Sequence, residues 1–137
     1  PGKTSLAPGE FILEFHLPPR PARASDAYLR LIPRTEMDIA VAGCGVNLVL
    51  DAAGAVAEAH VAIGAVAPTA LLVAEAGAAL VGGKLDEASL DAMTAAVRAA
   101  CRPISDKRGT ADYRTRIAGV LARRAALIAF ERAGGMR

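Results

Sequence analysis

Aromatic side chains are scarce: there is no Trp, and the rings are Tyr28, Tyr113, Phe11, Phe15 and Phe130. So few rings provide no stacking ladder for single-stranded nucleic acid, and no glycine-rich RNA-binding pattern accompanies them. Cysteine is rarer still. Cys44 and Cys101 form no CxxC and have no nearby His, which excludes a conventional zinc or iron–sulfur site built by this chain. Both read as buried thiols in a reducing compartment, and a cytoplasmic location is expected. The longest apolar stretches are broken by Asn47, Asp51, Pro68 and Glu75, so none reaches the ~20 residues that cross a bilayer. Net charge is also small, +2 from 16 basic and 14 acidic residues, which argues against nucleic acid or an anionic membrane as partner.

What the sequence does have is aliphatic. Of 137 residues 53% are hydrophobic and 22% charged, enough for one modest core made from Ala, Val, Leu and Ile. Charge is unevenly spread: residues 1–106 carry 8 basic and 12 acidic groups, and residues 107–137 carry 8 and 2. The basic end reads either as a contact for an acidic partner or as a solvated helix face. No charged leader followed by an apolar stretch opens the sequence. It begins "PGKTSLAPGE" and turns at once to a strand pattern, as expected of a chain cut from something larger.

Between Glu10 and Leu17, Phe11, Leu13, Phe15 and Leu17 alternate with Glu10, Glu14 and His16, the period of a half-buried strand whose polar face Ile12 interrupts. The proline-rich "PPRPARASD" is a loop. Strands are expected over Ala27–Leu31 and Ile39–Leu50, the second apolar on both faces and therefore central. A hairpin loop at Asp51–Gly54 then leads to a strand over Val56–Gly64, with Ala57, Ala59, Val61 and Ile63 on one side and Glu58 and His60 on the other.

After Pro68 the period becomes helical. Thr69 is expected to cap a first helix carrying Leu72, Ala76, Ala79 and Leu80 and stopped by Gly82-Gly83. Asp86 caps a second, with Leu90, Met93, Val97 and Cys101 on one stripe and Pro103 at its end. Thr110 caps a third, with Tyr113, Ile117, Val120, Leu121 and Ile128 as its stripe and Gly134-Gly135 beyond. The expected fold is α+β: an antiparallel sheet of three to four strands covered on one face by three helices, as a single domain over residues 1–137. Arg124 falls inside the third stripe. It reads either as a buried arginine paired with Asp106 or Glu75, or capping strand-end carbonyls, or as a side chain whose head reaches water.

Catalytic and metal motifs are absent: no GxSxG, HExxH or Walker loop occurs, and "GKTS" at Gly2–Ser5 lacks the upstream glycine and the following helix. His16 and His60 lie on polar strand faces. The segment Tyr28–Ala40, "YLRLIPRTEMDIA", instead packs Arg30, Arg34, Glu36 and Asp38 around a proline, which reads either as a site held by a scaffold or as a polar turn.

Four segments in order, "PGEFILEFHLP", "AYLRLIPRTEMDIAVAGCGVNLVLD", "AHVAIGAVAPTALLVAEA" and Arg102–Leu127, carry a resemblance over essentially the whole chain. It resembles the C-terminal domain of the FAD-binding medium subunit of molybdenum hydroxylases, the xanthine dehydrogenase and carbon monoxide dehydrogenase group. The resemblance implies an oxidoreductase complex in which a molybdenum cofactor in a large subunit oxidises substrate, [2Fe-2S] clusters in a small subunit carry electrons, and FAD passes them on. It further implies that the pyrophosphate of FAD is held by N-terminal FAD-binding domains absent from this chain, and that the domain has no catalytic residue and no metal. Ile12, Arg30, Arg34 and Asp38 are the positions it places near the flavin. Arg30 stands where Lys is commoner, and Arg34 with Asp38 could equally form a salt-bridged turn. A free-standing interaction or scaffolding domain of the same fold, without flavin, is the alternative.

Overall fold

The computed structural model describes residues 3–34 and 37–135. Strand β1 runs Ala24–Leu31, β2 Ala42–Leu50, β3 Val56–Gly64 and β4 Leu71–Leu72; helix α1 runs Ala74–Ala78, α2 Glu87–Ala100 and α3 Ala111–Arg132. The strands form one antiparallel sheet in the order β1-β2-β3-β4, which bears out the α+β expectation. Gly54, with φ of 82°, closes the β2–β3 hairpin in the left-handed region that glycine adopts without penalty. A register shift at Val49/Leu50 pairs Leu50 with Val56, so Ala57 is exposed rather than on the inner side with Ala59, Val61 and Ile63.

All three helices cover one face. α3 packs on β1 and β2, α1 on β3, and α2 against both helices. The core between the layers holds Val46, Leu48, Val61, Ile63, Leu80, Leu90, Met93, Val97 and Phe130. Asp86 caps α2 by accepting from Ser89 N at 2.8 Å, and Thr110 caps α3 by accepting from Tyr113 N at 3.2 Å, both as the sequence indicates.

Four expectations are corrected. Residues 10–17 form no strand: Phe11, Leu13, Phe15 and Leu17 are all exposed, because among the described residues no neighbouring strand lies beside them to complete a ladder. The first helix is shorter and its Thr69 cap does not exist. Leu71–Leu72 pairs with β3 first, and α1 begins after Val73 without a side-chain cap. On α3 the buried stripe is Arg114, Ala118, Ala122, Ala125 and Ala129, with Leu121 and Phe130 beside it, while Tyr113 and Val120 are exposed. Alanines occupy the line nearest the sheet because only small side chains fit where the backbones approach closely; the larger Ile117 and Ile128 flank it. Arg124 is therefore exposed, and the buried arginine paired with Asp106 is Arg114, with Arg108 as a second, less buried partner.

Glu36 and Gly2 lie outside the described residues. No helix among the described residues is long and apolar enough to cross a membrane.

Candidate functional site

The helices leave the other face of the sheet bare. Strand alternation turns Ala27, Leu29 and Leu31 toward the helices and Asp26, Tyr28 and Arg30 away from them. The register sets Tyr28 opposite Gly45 and Arg30 opposite Gly43, and the small-residue floor continues onto β3, where Gly64 faces Gly43 and Ala62 faces Gly45. A Cβ on Gly43 would sit 2.7 Å from Tyr28 Oη, and one on Gly45 3.7 Å from the Tyr28 ring. The missing side chains are what let the ring lie across β2. Beside it is a depression of about 330 Å³ lined by Asp26, Tyr28, Asn47, His60, Ala62 and Arg132. Arg132, at the end of α3, donates to the Asp26 carbonyl at 3.0 Å and ties this corner to the helix layer.

A charged cluster occupies one end of the domain, where the β1–β2 and α2–α3 connections meet. Arg34 Nε donates to Asp38 Oδ2 at 3.0 Å, and the Ile39 N–H donates to Asp38 Oδ1 at 2.8 Å. Arg108 stands between the carboxylates, 3.7 Å from Asp38 and 3.4 Å from Asp106. Asp106 Oδ1 accepts from the Arg108 backbone N–H at 2.8 Å and from Arg114 Nη2 at 2.6 Å. Arg114, 3% exposed, carries the network inward by donating to the Val41 carbonyl at 2.8 Å. A cavity of about 440 Å³ lies beside it, lined by Pro33, Arg34, Asp38, Asp106, Lys107 and Arg108.

These contacts fix protonation. The Arg34 hydrogen bond holds Asp38 below the usual carboxylate range despite burial, and Asp106 is held low first by the Arg108 N–H and then by Arg114. Arg34 is raised by its bond to Asp38. Carboxylates kept ionised beside guanidiniums that never lose a proton make a rigid strap, not an acid–base pair. Half of the basic groups of residues 107–137 are engaged inside the molecule. Besides Arg108, Arg114 and Arg132, Arg123 pairs with Glu87 and with Asp91, the latter at 3.0 Å.

Of the positions expected near a flavin, Arg34 and Asp38 are joined directly. Arg30 stands on the bare sheet face, and Ile12 lies in the segment before β1, 58% exposed. Ile12 is joined to none of the other three by a described hydrogen bond or ion pair. Tyr28, Arg108 and Arg114 are not among the residues the sequence marks as candidates, and Asp106 is marked only as a partner for Arg124. Tyr28 had a signal, since it lies two residues before Arg30 on a strand and so must share its face. Arg114 had none, because its role depends on a carbonyl 73 residues away.

The bare face suits a flat ring better than a phosphate. Small residues form the floor, with an aromatic ring, a guanidinium and the Asn47 side-chain amide around it. Among the described residues neither long helix offers a diphosphate its N-terminus: that of α2 is already occupied by the Asp86 carboxylate, and α3 begins with the Thr110 cap and Asp112 in its first turn.

The chain is similar to known proteins along most of its length. The family described as CO dehydrogenase flavoprotein C-terminal domain matches residues 27–129. The carbon monoxide dehydrogenase medium chain of Afipia carboxidovorans is 39% identical over 122 residues, covering 89% of this chain and 42% of that protein. A xanthine dehydrogenase FAD-binding subunit of Escherichia coli O157:H7 is 29% identical over 136 residues, covering 98% and 46%. Among solved structures, reconstituted CO dehydrogenase from Oligotropha carboxidovorans superposes with a TM-score of 0.80 at 39% identity, covering 85% of this chain and 40% of that one. The chain thus spans less than half the length of these relatives.

Proposed function

Starting from the fact that the chain belongs to the CO dehydrogenase flavoprotein C-terminal domain family, we propose that it closes one side of an FAD whose pyrophosphate is gripped by the N-terminal FAD-binding domains of a longer subunit. The observation that carries this reading is the sheet face away from the helices: the Tyr28 ring lies over Gly43 and Gly45, and Arg30, opposite Gly43 in the register, shares that face. Bound there, FAD would supply two-electron redox chemistry, taking electrons from [2Fe-2S] clusters in a small subunit that are fed by a molybdenum cofactor in a large subunit.

The chain's own residues bind, shield and bias. The Tyr28 ring covers apolar ring surface and keeps water from it. Arg30 places a permanent positive charge on the same face, which favours a more negative, reduced ring over a neutral one. The Arg34–Asp38–Arg108–Asp106–Arg114 strap holds the β1–β2 connection that follows Arg30, so Arg34 and Asp38 act by positioning. Ile12 is assigned an apolar contact with the cofactor. None of these residues is assigned a catalytic step. The two buried, unpaired thiols accord with the cytoplasm as the site of action.

The test uses the full-length subunit. Arg30→Ala should lower the flavin midpoint potential, and Tyr28→Leu should release FAD more readily on gel filtration, with the circular dichroism spectrum preserved in both. Unchanged potential and unchanged FAD content in both variants would remove the flavin from this face and favour a protein-docking domain. The 137-residue chain mixed with FAD should elute colourless, since it lacks the phosphate cradle; a stoichiometric yellow peak would refute that division of labour.

A further inference from the structure

Residues 10–17 have every mark of a β-strand except a neighbour. Phe11 is 77% exposed, Leu13 83%, Phe15 81% and Leu17 88%, a row that alternation places on one side of an extended chain. Ile12, Glu14 and His16 fall on the other side, where Glu14 and His16 pair at 2.8 Å. Among the described residues, no backbone group from 11 to 17 takes part in a sheet ladder. Two aromatic and two aliphatic side chains in a row, all in water, are a liability no stable surface keeps.

The comparisons separate this segment from the domain that follows. The family match begins at residue 27, after the segment, whereas alignment with the Escherichia coli relative covers 98% of the chain and so takes the segment in. The segment is thus shared with the longer protein and lies outside the C-terminal domain proper. Pro18, Pro19 and Pro21 follow it, which ends any ladder and stiffens the connection to β1. At about 3.1 Å per residue, residues 18–23 reach about 19 Å, so the Leu17 end of the row must sit within about that distance of β1.

We infer that residues 10–17 form a strand added to the edge of a β-sheet in the remaining part of the same polypeptide, with Phe11, Leu13, Phe15 and Leu17 buried in that domain's core. The partner is therefore an open sheet edge above an apolar layer, and main-chain hydrogen bonds supply the pairing. The structural boundary of the C-terminal domain falls in the proline connection rather than at Pro1. The proposal rests on the reading that this chain is part of a longer flavin subunit, but it does not require flavin to touch the bare sheet face.

Amide hydrogen exchange on the full-length subunit tests it, with FAD bound and after its removal, at several concentrations and before assembly with other subunits. Expected is exchange at residues 11–17 slowed at least ~100-fold relative to unstructured chain, in both FAD states and independent of concentration. Phe15→Asp should abolish that protection and leave β2 protected. Rapid exchange in the lone subunit overturns the proposal. So does protection that appears only on assembly, which would make another subunit the partner, or only as concentration rises, which would make it a second copy. Because protection is read without FAD as well, failure of the flavin assignment leaves this outcome intact.

Discussion

Replacing Arg114 with Ala should cost about 3 kcal/mol of stability, and the structure indicates where each part arises. The side chain is 3% exposed and its Nη1 is the described donor to the Val41 carbonyl at 2.8 Å, in a residue itself 2% exposed. Leaving that carbonyl without a partner costs about 1–3 kcal/mol. Two buried stem methylenes beyond Cβ disappear as well, at about 0.8 kcal/mol each. The Asp106 side adds little, because that side chain is 28% exposed and keeps the Arg108 backbone N–H at 2.8 Å. With a urea m-value near ~2 kcal/mol/M, the midpoint should fall by about 1.5 M at pH 7, followed by far-ultraviolet circular dichroism. Arg114→Met restores the stem but not the donor and should recover roughly half the loss. Arg114→Lys keeps the charge but not the planar fork and should also fall short of the parent. Arg124→Ala is the control: an exposed side chain should change stability by less than ~0.5 kcal/mol. A loss under ~1 kcal/mol for Arg114→Ala would refute the anchoring role and mean that the Val41 carbonyl finds another donor.

Three further outcomes are expected. Asp38, Asp86 and Asp106 have carboxyls held below their ordinary value of 3.8, so the unfolded chain binds more protons in acid; their contribution is complete above that value and drains as pH falls through the depressed folded ones, which a urea series from pH 6 to pH 2 should show. The Cys44 thiol is pushed up to about 12 by burial and then by neighbouring Cys101, so at pH 8 iodoacetamide should label it only at the rate of unfolding; its share of stability is present below its ordinary value of 9.0 and is lost as pH rises toward 12. Rapid labelling of folded protein would contradict the burial. Gly77→Ala drives a Cβ onto the Ala59 carbonyl oxygen where α1 meets β3, and should cost about 3 kcal/mol, while Gly83→Ala, with nothing within 4 Å, should be close to neutral in the same thermal melt.

Local chemistry was readable wherever a residue's role depends on its near neighbours. The Asp86 and Thr110 caps, the Gly54 turn and the strands through Leu31, Leu50 and Gly64 depend on groups a few positions away, and period separated the strand half from the helical half except at Leu71–Leu72, which reads as helical and pairs with β3. Half of the candidate site was legible for the same reason. Arg34 and Asp38 are four apart in one turn and pair there, and Tyr28 with Arg30 must share a face of one strand. The Arg114 anchor was not, because its partners Asp106 and Val41 converge only when α3 packs on the sheet.

By itself the sequence determined the composition of the core, the order of strands then helices, and a family likeness carried by four ordered segments. Tertiary structure decided which apolar pattern is buried. Residues 10–17 alternate as well as any strand and remain in water, while the alanines of α3, less hydrophobic than Ile117 or Val120, take the innermost line. Periodicity specifies a face, but burial requires a second surface at the right distance. For α3 the sheet lies so close that only small side chains fit, and for residues 10–17 no such surface stands beside them among the described residues.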